Sequence, residues 1–275
     1  MKIIFLADLH AASRVAVAVP DEGGSFGRDS YAPIRKRLFG RWKEAAEGED
    51  GSPDILIVDA DLIDGQNVKE KGFGLTTTDI DEQCQEAAEL ISMWKAKKIF
   101  ILRGSDYHVN VGNTGLSSEE YIARQLNAEK YPHTKDSSGY HYYITIDNVT
   151  FHVAHHIEFS RVFHYKSTPV AKEMLFAKLN DQLRHEMGKY KTNIVIRAHA
   201  HGFIAVEYAS MLGMVLPCWK ALDAHMLKRG SIAMRPDIGY VRFDVSGDSY
   251  RWVKRLYKLP EFQLPPHVII KSGEK

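Results

Sequence analysis

The chain has 275 residues, 44% of them hydrophobic and 26% charged, enough to bury one large core or two small ones. Its net charge of +1 supplies no global basic field of the kind that marks a nucleic-acid binder. The two cysteines, Cys84 and Cys218, fit neither a zinc spacing nor a disulfide framework, and no apolar stretch is long enough to span a membrane, so a cytoplasmic protein with no membrane partner is expected.

Residues 2–7 read as a buried first strand, and a signal peptide is not expected. A long excursion, 11–53, follows, with a Gly-rich piece and then a predicted helix from about Tyr31 to Ala46. Residues 54–60 read as a second strand. A helix is predicted from Asp79 to Lys97, with Thr78 or Asp79 as its N-cap and Lys95, Lys97 and Lys98 at its C-terminal end. Ile99–Leu102 is a third strand, and Ser117 or Ser118 caps a helix running to Leu126. Tyr140–Ile146 and Val149–Ala154 form a hairpin across Asp147-Asn148. Pro169–Met187 is a helix with Gly188 near its end, and Ile194–Ile196 a strand. Residues 203–216 and 238–257 alternate as antiparallel strands, and the Pro-rich tail from about 260 is expected to be extended. Strand–helix alternation followed by hairpins describes an α/β domain with a mixed sheet or two packed sheets, and no domain boundary is visible.

Four clusters of Asp and His stand at the ends of apolar runs: Asp8-Leu9-His10, Asp61-Leu62-Ile63-Asp64, His155-His156 and His199-Ala200-His201. A strand sends alternate side chains to one face, so D-x-H and H-x-H are each expected to aim two ligands the same way. Carboxylate with imidazole suits Mn, Fe, Zn or Ni better than Ca or Mg, and two ions are the natural occupants.

D-L-H, A-D-L-I-D, L-R-G-S-D-Y-H, A-H-H and A-H-A-H, in that order over residues 1 to about 205, resemble the five sequence blocks of calcineurin-like metallophosphoesterases. Those blocks usually read D-x-H, G-D-x-x-D, G-N-H-D/E, a single His, and G-H-x-H. The resemblance implies one domain over 1–275, a four-layer α/β/β/α sandwich with two mixed sheets flanked by helices, and the site at the strand C-termini. It also implies that Asp8, His10 and His201 hold a first metal, that His155 and His199 hold a second, that Asp61 bridges both, and that Asp64 orients a ligand or ties down the loop. The activity implied is hydrolysis of a phosphoester by in-line attack of a metal-bridging hydroxide, with Mn as the working metal and Fe, Zn or Ni as alternatives. His156 stands as the alternative to His155. Asp59 stands as the alternative to Asp61, and reads more simply as a polar strand residue.

The third block departs from the pattern. Ser105 occupies the usual Asn position, Asp106 the usual His position, and His108 lies two residues later. Repair by His108 or Asp106, in the role of phosphate contact or leaving-group acid, is expected. The R-G-S-x-x-H arrangement is similar to phosphoesterases of phages and prophages. With the cluster Arg35-Lys36-Arg37, Arg41 and Lys43, it tips the expected substrate toward a phosphodiester or nucleic acid. The rival reading is a binding or scaffold protein on a degenerate site, and Ser105 motivates it; a one-metal hydrolase is a third. Arg103 and Arg197 could clamp a phosphate or pair with a carboxylate, and His164 with Tyr165 could reach the substrate. His133, His141, His152 and His185 read as structural or surface residues. Gly23-Gly24-Ser25-Phe26-Gly27 lacks the preceding strand of a nucleophile elbow, and His185-Glu186 lacks its second His because Lys189 stands there.

Overall fold

Ile3–Ala7 are all fully buried, and a strand buried on both faces must lie between two layers. The computed structural model describes residues 1–68, 71–109, 115–132, 134–160, 162–186, 191–228 and 235–263, and shows those layers. The strands are β1 (Lys2–Ala7), β2 (Ile55–Asp59), β3 (Lys98–Leu102), β4 (Ser138–Gly139), β5 (His141–Ile146), β6 (Val149–Ala154), β7 (Ile194–Arg197), β8 (Ile204–Tyr208), β9 (Met211–Val215), β10 (Ile238–Ser246) and β11 (Ser249–Tyr257). The helices are α1 (Ala32–Glu47), α2 (Ile80–Ser92), α3 (Ser118–Gln125), α4 (Thr168–Glu186), α5 (Ala224–Lys228) and α6 (Pro260–Gln263).

One sheet runs β11-β10-β1-β2-β3-β4, parallel from β1 to β4 and antiparallel beyond β1. The other runs β5-β6-β7-β9-β8, with β6, β7 and β9 parallel and a hairpin at each edge. Both sheets are mixed. Phe5, Ile57 and Phe243 of the first meet Phe151, Ile196 and Met214 of the second in one apolar layer. The far face of the first sheet buries Ile4, Leu56 and Ile101 against Trp42 of α1, Leu90 of α2 and Ile122 of α3. The far face of the second packs Val195 and Met211 against Met174 and Ala177 of α4. The layers are therefore α/β/β/α.

Local chemistry explains most boundaries. The Asp79 carboxylate accepts from the backbone N–H of Asp81 and Glu82 and starts α2, and Ser117 caps α3 through Glu120 N–H. Two readings change. α2 ends at Ser92, because Trp94 is needed in the core against Trp42 and Lys98 is already paired with Ile55 in the sheet. The expected extended tail begins with the short helix α6, whose Phe262 accepts from Leu222 N–H; residues 264–275 lie outside the described residues. His133, Gly188 and Lys189 also lie outside them, and the side chain of His185 is not described.

Candidate metal centre

β1 and β2 lie parallel with Ala7 beside Asp59, and β6 and β7 parallel with Val153 beside Ile196. Their C-terminal ends open on one side, and each leads into one Asp/His cluster. The loops are then tied together. Asp8 N–H donates to Ala60 O at 3.2 Å, His10 N–H to Asp61 O at 3.0 Å, Trp219 N–H to Asp8 O at 3.1 Å and Ala198 N–H to His155 O at 3.0 Å.

The side chains converge by a different route from strand alternation. Asp8 and His10 lie past the end of β1 with φ of 51° each, and His199 and His201 past the end of β7 with φ of 68° and 55°. Ala60 and Asp61 are also left-handed, at 57° and 44°. Side chains with a Cβ pay on the order of 1 kcal/mol for each such residue. Six of them around one point are sustained by the surrounding ladder. The usual Gly of the second block is Ala60 here, and it adopts the backbone that Gly would take freely.

Asp8 Oδ1 is buried and accepts no hydrogen bond, yet lies 3.5 Å from His201 Nε2, 3.9 Å from His10 Nε2 and 4.0 Å from His155 Nε2. His10 Nε2 and His201 Nε2 stand 3.0 Å apart. His155 Nε2, also buried without a hydrogen bond, is 3.1 Å from Asp61 Oδ2, which is 3.8 Å from His199 Nδ1. Atoms that share an ion at roughly 2.0–2.2 Å stand about 3–3.5 Å from one another. Carboxylate oxygens and ring nitrogens facing one another at this spacing fit a shared cation, a proton or a metal ion. Asp8 with His10 and His201, and Asp8 with Asp61 and His155, are two sets whose ligand atoms all lie within 4.8 Å of one another; Asp8 belongs to both. A third set is His155, His156 and His199, with His156 exposed and its ring against that of His199, so both residues of the His155-His156 pair face this region. A fourth is His10, Asp64 and His108.

The electrostatics agree. Burial opposes charge on His201, but the Asp8 carboxylate beside it prevails and lifts it to about 10. Burial likewise opposes charge on His155, and Asp61 raises it nonetheless. The carboxylates hold a strong demand for positive charge. His10 goes the other way, to about 3, because burial and then the nearby Lys220 ammonium disfavour its protonated form.

A supporting ring of residues surrounds these groups. Asp64 Oδ1 lies 3.1 Å from His10 Nδ1 and accepts from Lys220 Nζ at 2.7 Å; Lys220 also pairs with Asp223 at 3.0 Å. Lys220 is buried and unforeseen; its only sequence signal is one charge inside the apolar run Leu216–Ala221. Asp59 is a fully buried strand residue behind His155: its backbone carbonyl lies 3.3 Å from His155 Nδ1, and its carboxylate, 3.6 Å from the same nitrogen, makes no hydrogen bond. A carbonyl on one ring nitrogen orients the ring's other nitrogen toward an ion.

In the third block Ser105 donates to Asp61 from its N–H at 2.9 Å and from Oγ at 3.1 Å. His108 lines the cleft with its Nδ1 2.9 Å from Asp64 O and its ring 4.5 Å from that of His10. Asp106 is exposed and stands outside the cleft lining. Arg103 pairs with Glu120 and Asp136, and Arg197 with Glu173, so both serve carboxylates. Arg35 leaves the basic helix face, being buried on Phe26 O, Arg14 O and Asp29. His164 and Tyr165 are exposed and do not line the cleft.

Beneath this loop Glu119 is fully buried; one oxygen accepts from Ser118 Oγ at 2.8 Å and the other has no partner. Burial pushes its carboxyl from an ordinary 4.5 up to about 7. A carboxyl raised in the folded state binds more protons there than in the unfolded chain, so its contribution falls as pH rises from about 4.5 to about 7 and stays low above. Glu119→Gln is expected to be stabilising at pH 8, on the order of 2–3 kcal/mol, and neutral near pH 4.5. Melting curves at the two pH values check this; equal shifts at both would contradict it.

No model of a known protein family matches the sequence, and no curated protein does. Solved structures similar to this chain include a Vps29 mutant from Entamoeba histolytica, at 9% identity and TM-score 0.42 over 94% of this chain and 100% of that one. An archaeal phosphodiesterase is similar at 12% identity and TM-score 0.43, over 93% and 100%. Vps29 from Chaetomium thermophilum is similar at 10% and 0.41, over 94% and 98%. With TM-scores below 0.5, the two-sheet architecture and the site geometry stand on this chain's own contacts. Among the described residues no helix is long and apolar enough to cross a membrane.

Proposed function

We propose that the chain is a metal-dependent phosphoesterase. The observation that carries this is Asp8 Oδ1, a buried carboxylate oxygen with no hydrogen bond, faced by three imidazole nitrogens beside a cleft of about 730 Å³. Asp8, His10 and His201 would hold one divalent ion, and Asp61, His155 and His199 a second, with Mn preferred and Fe, Zn or Ni accepted. Bound there, such ions polarise the phosphoryl oxygens and make water a nucleophile at neutral pH.

The protein's own groups do the rest. The Asp64 carboxylate and the Asp59 backbone carbonyl hold the rings of His10 and His155 from behind, and Lys220 keeps Asp64 ionised and in place. Ser105 steadies Asp61 through two donors rather than presenting a ligand of its own. His108, with Nδ1 on the Asp64 carbonyl, has Nε2 left for the substrate. It is placed to contact the phosphate; to give a proton to the departing oxygen it would have to be the imidazolium, which burial disfavours and the Asp61 and Asp64 carboxylates favour. His108→Ala should slow an alkyl phosphoester by roughly 10²-fold or more and an activated aryl ester much less, because an aryloxide departs without an acid. Loss of a bound metal with equal slowing of both esters would make His108 a ligand instead.

The test of the whole reading is chelation. Hydrolysis of an aryl phosphodiester should vanish on exhaustive removal of metal and return with Mn, and Mn should raise the melting temperature of the stripped protein. Activity that survives with metal content confirmed as nil ends the proposal. The second reading, a non-catalytic binding protein, draws on Ser105, which spends its hydroxyl on Asp61. It predicts no hydrolysis at any metal loading.

A further inference from the structure

Away from the ligand cluster the cleft is bordered by aromatic rings that do not belong to the core. Phe73 is 66% exposed, Tyr107 41% and Phe159 36%, and all three line the cleft. They come from three different loops, which follow β2, β3 and β6. Exposed rings are costly to keep in water, and three around one opening beside a phosphate-type site require a reason.

The rings are positioned. The Arg14 guanidinium lies 5.2 Å from the Phe73 ring centroid and is fixed by Nε donating to Leu75 O at 2.9 Å. Among the described residues it makes no salt bridge within 4.0 Å, though its charge helps to hold Asp29 ionised. Tyr107 donates from its hydroxyl to Asn67 Oδ1 at 3.0 Å, and its ring meets His108 edge-on at 5.0 Å. His108 in turn meets His10 at 4.5 Å, so Tyr107 stands two ring contacts from a candidate ligand. A flat group joined to a phosphorus at the ligand cluster would share one cleft with these surfaces. Aromatic faces beside a guanidinium fit a nucleobase: the rings supply stacking that every base accepts, and the cation supplies a stacking plane and a charge for a neighbouring phosphate. A plain alkyl group would use the rings and leave the guanidinium idle.

We propose that Phe73, Tyr107 and Arg14 form a nucleobase-stacking subsite, so that the phosphoester accepted carries a nucleoside. This rests on the phosphoesterase reading for its chemistry and not for its binding. The test compares two diesters with one leaving group, thymidine 5′-(p-nitrophenyl phosphate) and methyl p-nitrophenyl phosphate, on the Mn-loaded protein. The nucleoside ester should have the higher kcat/KM. Phe73→Ala should lower the ratio of the two values by roughly 5- to 100-fold, mainly through KM, and Phe73→Tyr should restore it. A second readout needs no turnover: saturation transfer from the metal-free protein to the base protons of thymidine 5′-monophosphate, lost in Phe73→Ala. Equal kcat/KM for both esters with no effect of Phe73→Ala overturns the subsite and leaves the phosphoesterase reading intact. Phe73-dependent transfer without hydrolysis of either ester keeps the subsite and removes the phosphoesterase reading. Binding of decathymidylate more than tenfold tighter than the mononucleotide, and weakened by salt, assigns the subsite to single-stranded nucleic acid. Equal binding assigns it to free nucleotides.

Discussion

Asp61→Asn is expected to abolish phosphoester hydrolysis, by roughly 10³-fold or more, while leaving the protein folded. The carboxylate is fully buried, 3.1 Å from His155 and 3.8 Å from His199, and accepts twice from Ser105. An amide keeps the oxygen that Ser105 N–H needs, so the loop has no reason to collapse. It removes the charge that a cation needs, and several kcal/mol of such stabilisation correspond to that factor in rate. Metal analysis of the variant should show less than the wild-type content. The family resemblance gives the shared carboxylate to Asp61, whereas Asp8 is the residue standing in both sets of ligands here. Asp8→Asn measured in parallel decides: the variant that loses both ions holds the shared carboxylate. Full metal and full activity in Asp61→Asn would remove it from the centre.

Gly104→Ala should also damage the site, though Gly104 carries no chemistry. A Cβ there would lie 2.1 Å from Asp61 Oδ1, 2.8 Å from Asp61 N and 3.0 Å from Ala60 Cβ. The Asp61 backbone cannot retreat easily, because its carbonyl holds His10 N–H and its carboxylate holds Ser105 N–H. Overpacking of this kind costs about 1–3 kcal/mol, and displacing a ligand's support typically costs 10- to 100-fold in metal affinity. Thermal melts and a Mn titration measure both. Gly40→Ala in α1, an exposed position where a Cβ meets nothing within 4 Å, is the control and should gain roughly 0.5–1 kcal/mol. Equal behaviour of the two variants would mean that the third-block loop yields without strain.

The chain's local chemistry was legible in advance wherever one residue acts on its own neighbours. Asp79 and Ser117 cap helices by bonding N–H groups two or three residues on, and Asp147-Asn148 turns a hairpin. The apolar runs before Asp8, Asp61, His155 and His199 announced strands that end where polar side chains begin, and the repeated pattern announced one shared site. Alternation and helical stretches were also enough for a layered α/β fold, because each apolar face must find another.

Tertiary structure decided what depends on distance through space. D-x-H and H-x-H converge through left-handed residues beyond the strands, and only the ladder from neighbouring loops makes that backbone affordable. Lys220 reaches Asp64 across 156 positions of sequence, and no local pattern encodes a partner that far away. The Asp59 backbone carbonyl became the backing of His155, and Arg35, Arg103 and Arg197 were drawn to carbonyls and carboxylates. Phe73, Tyr107 and Arg14 sit in segments that read as plain loops, and their common cleft exists because packing closes those loops around the strand ends. Short-range hydrogen bonding and periodicity are properties of a few consecutive residues. A site assembled from two sheets is a property of how they pack.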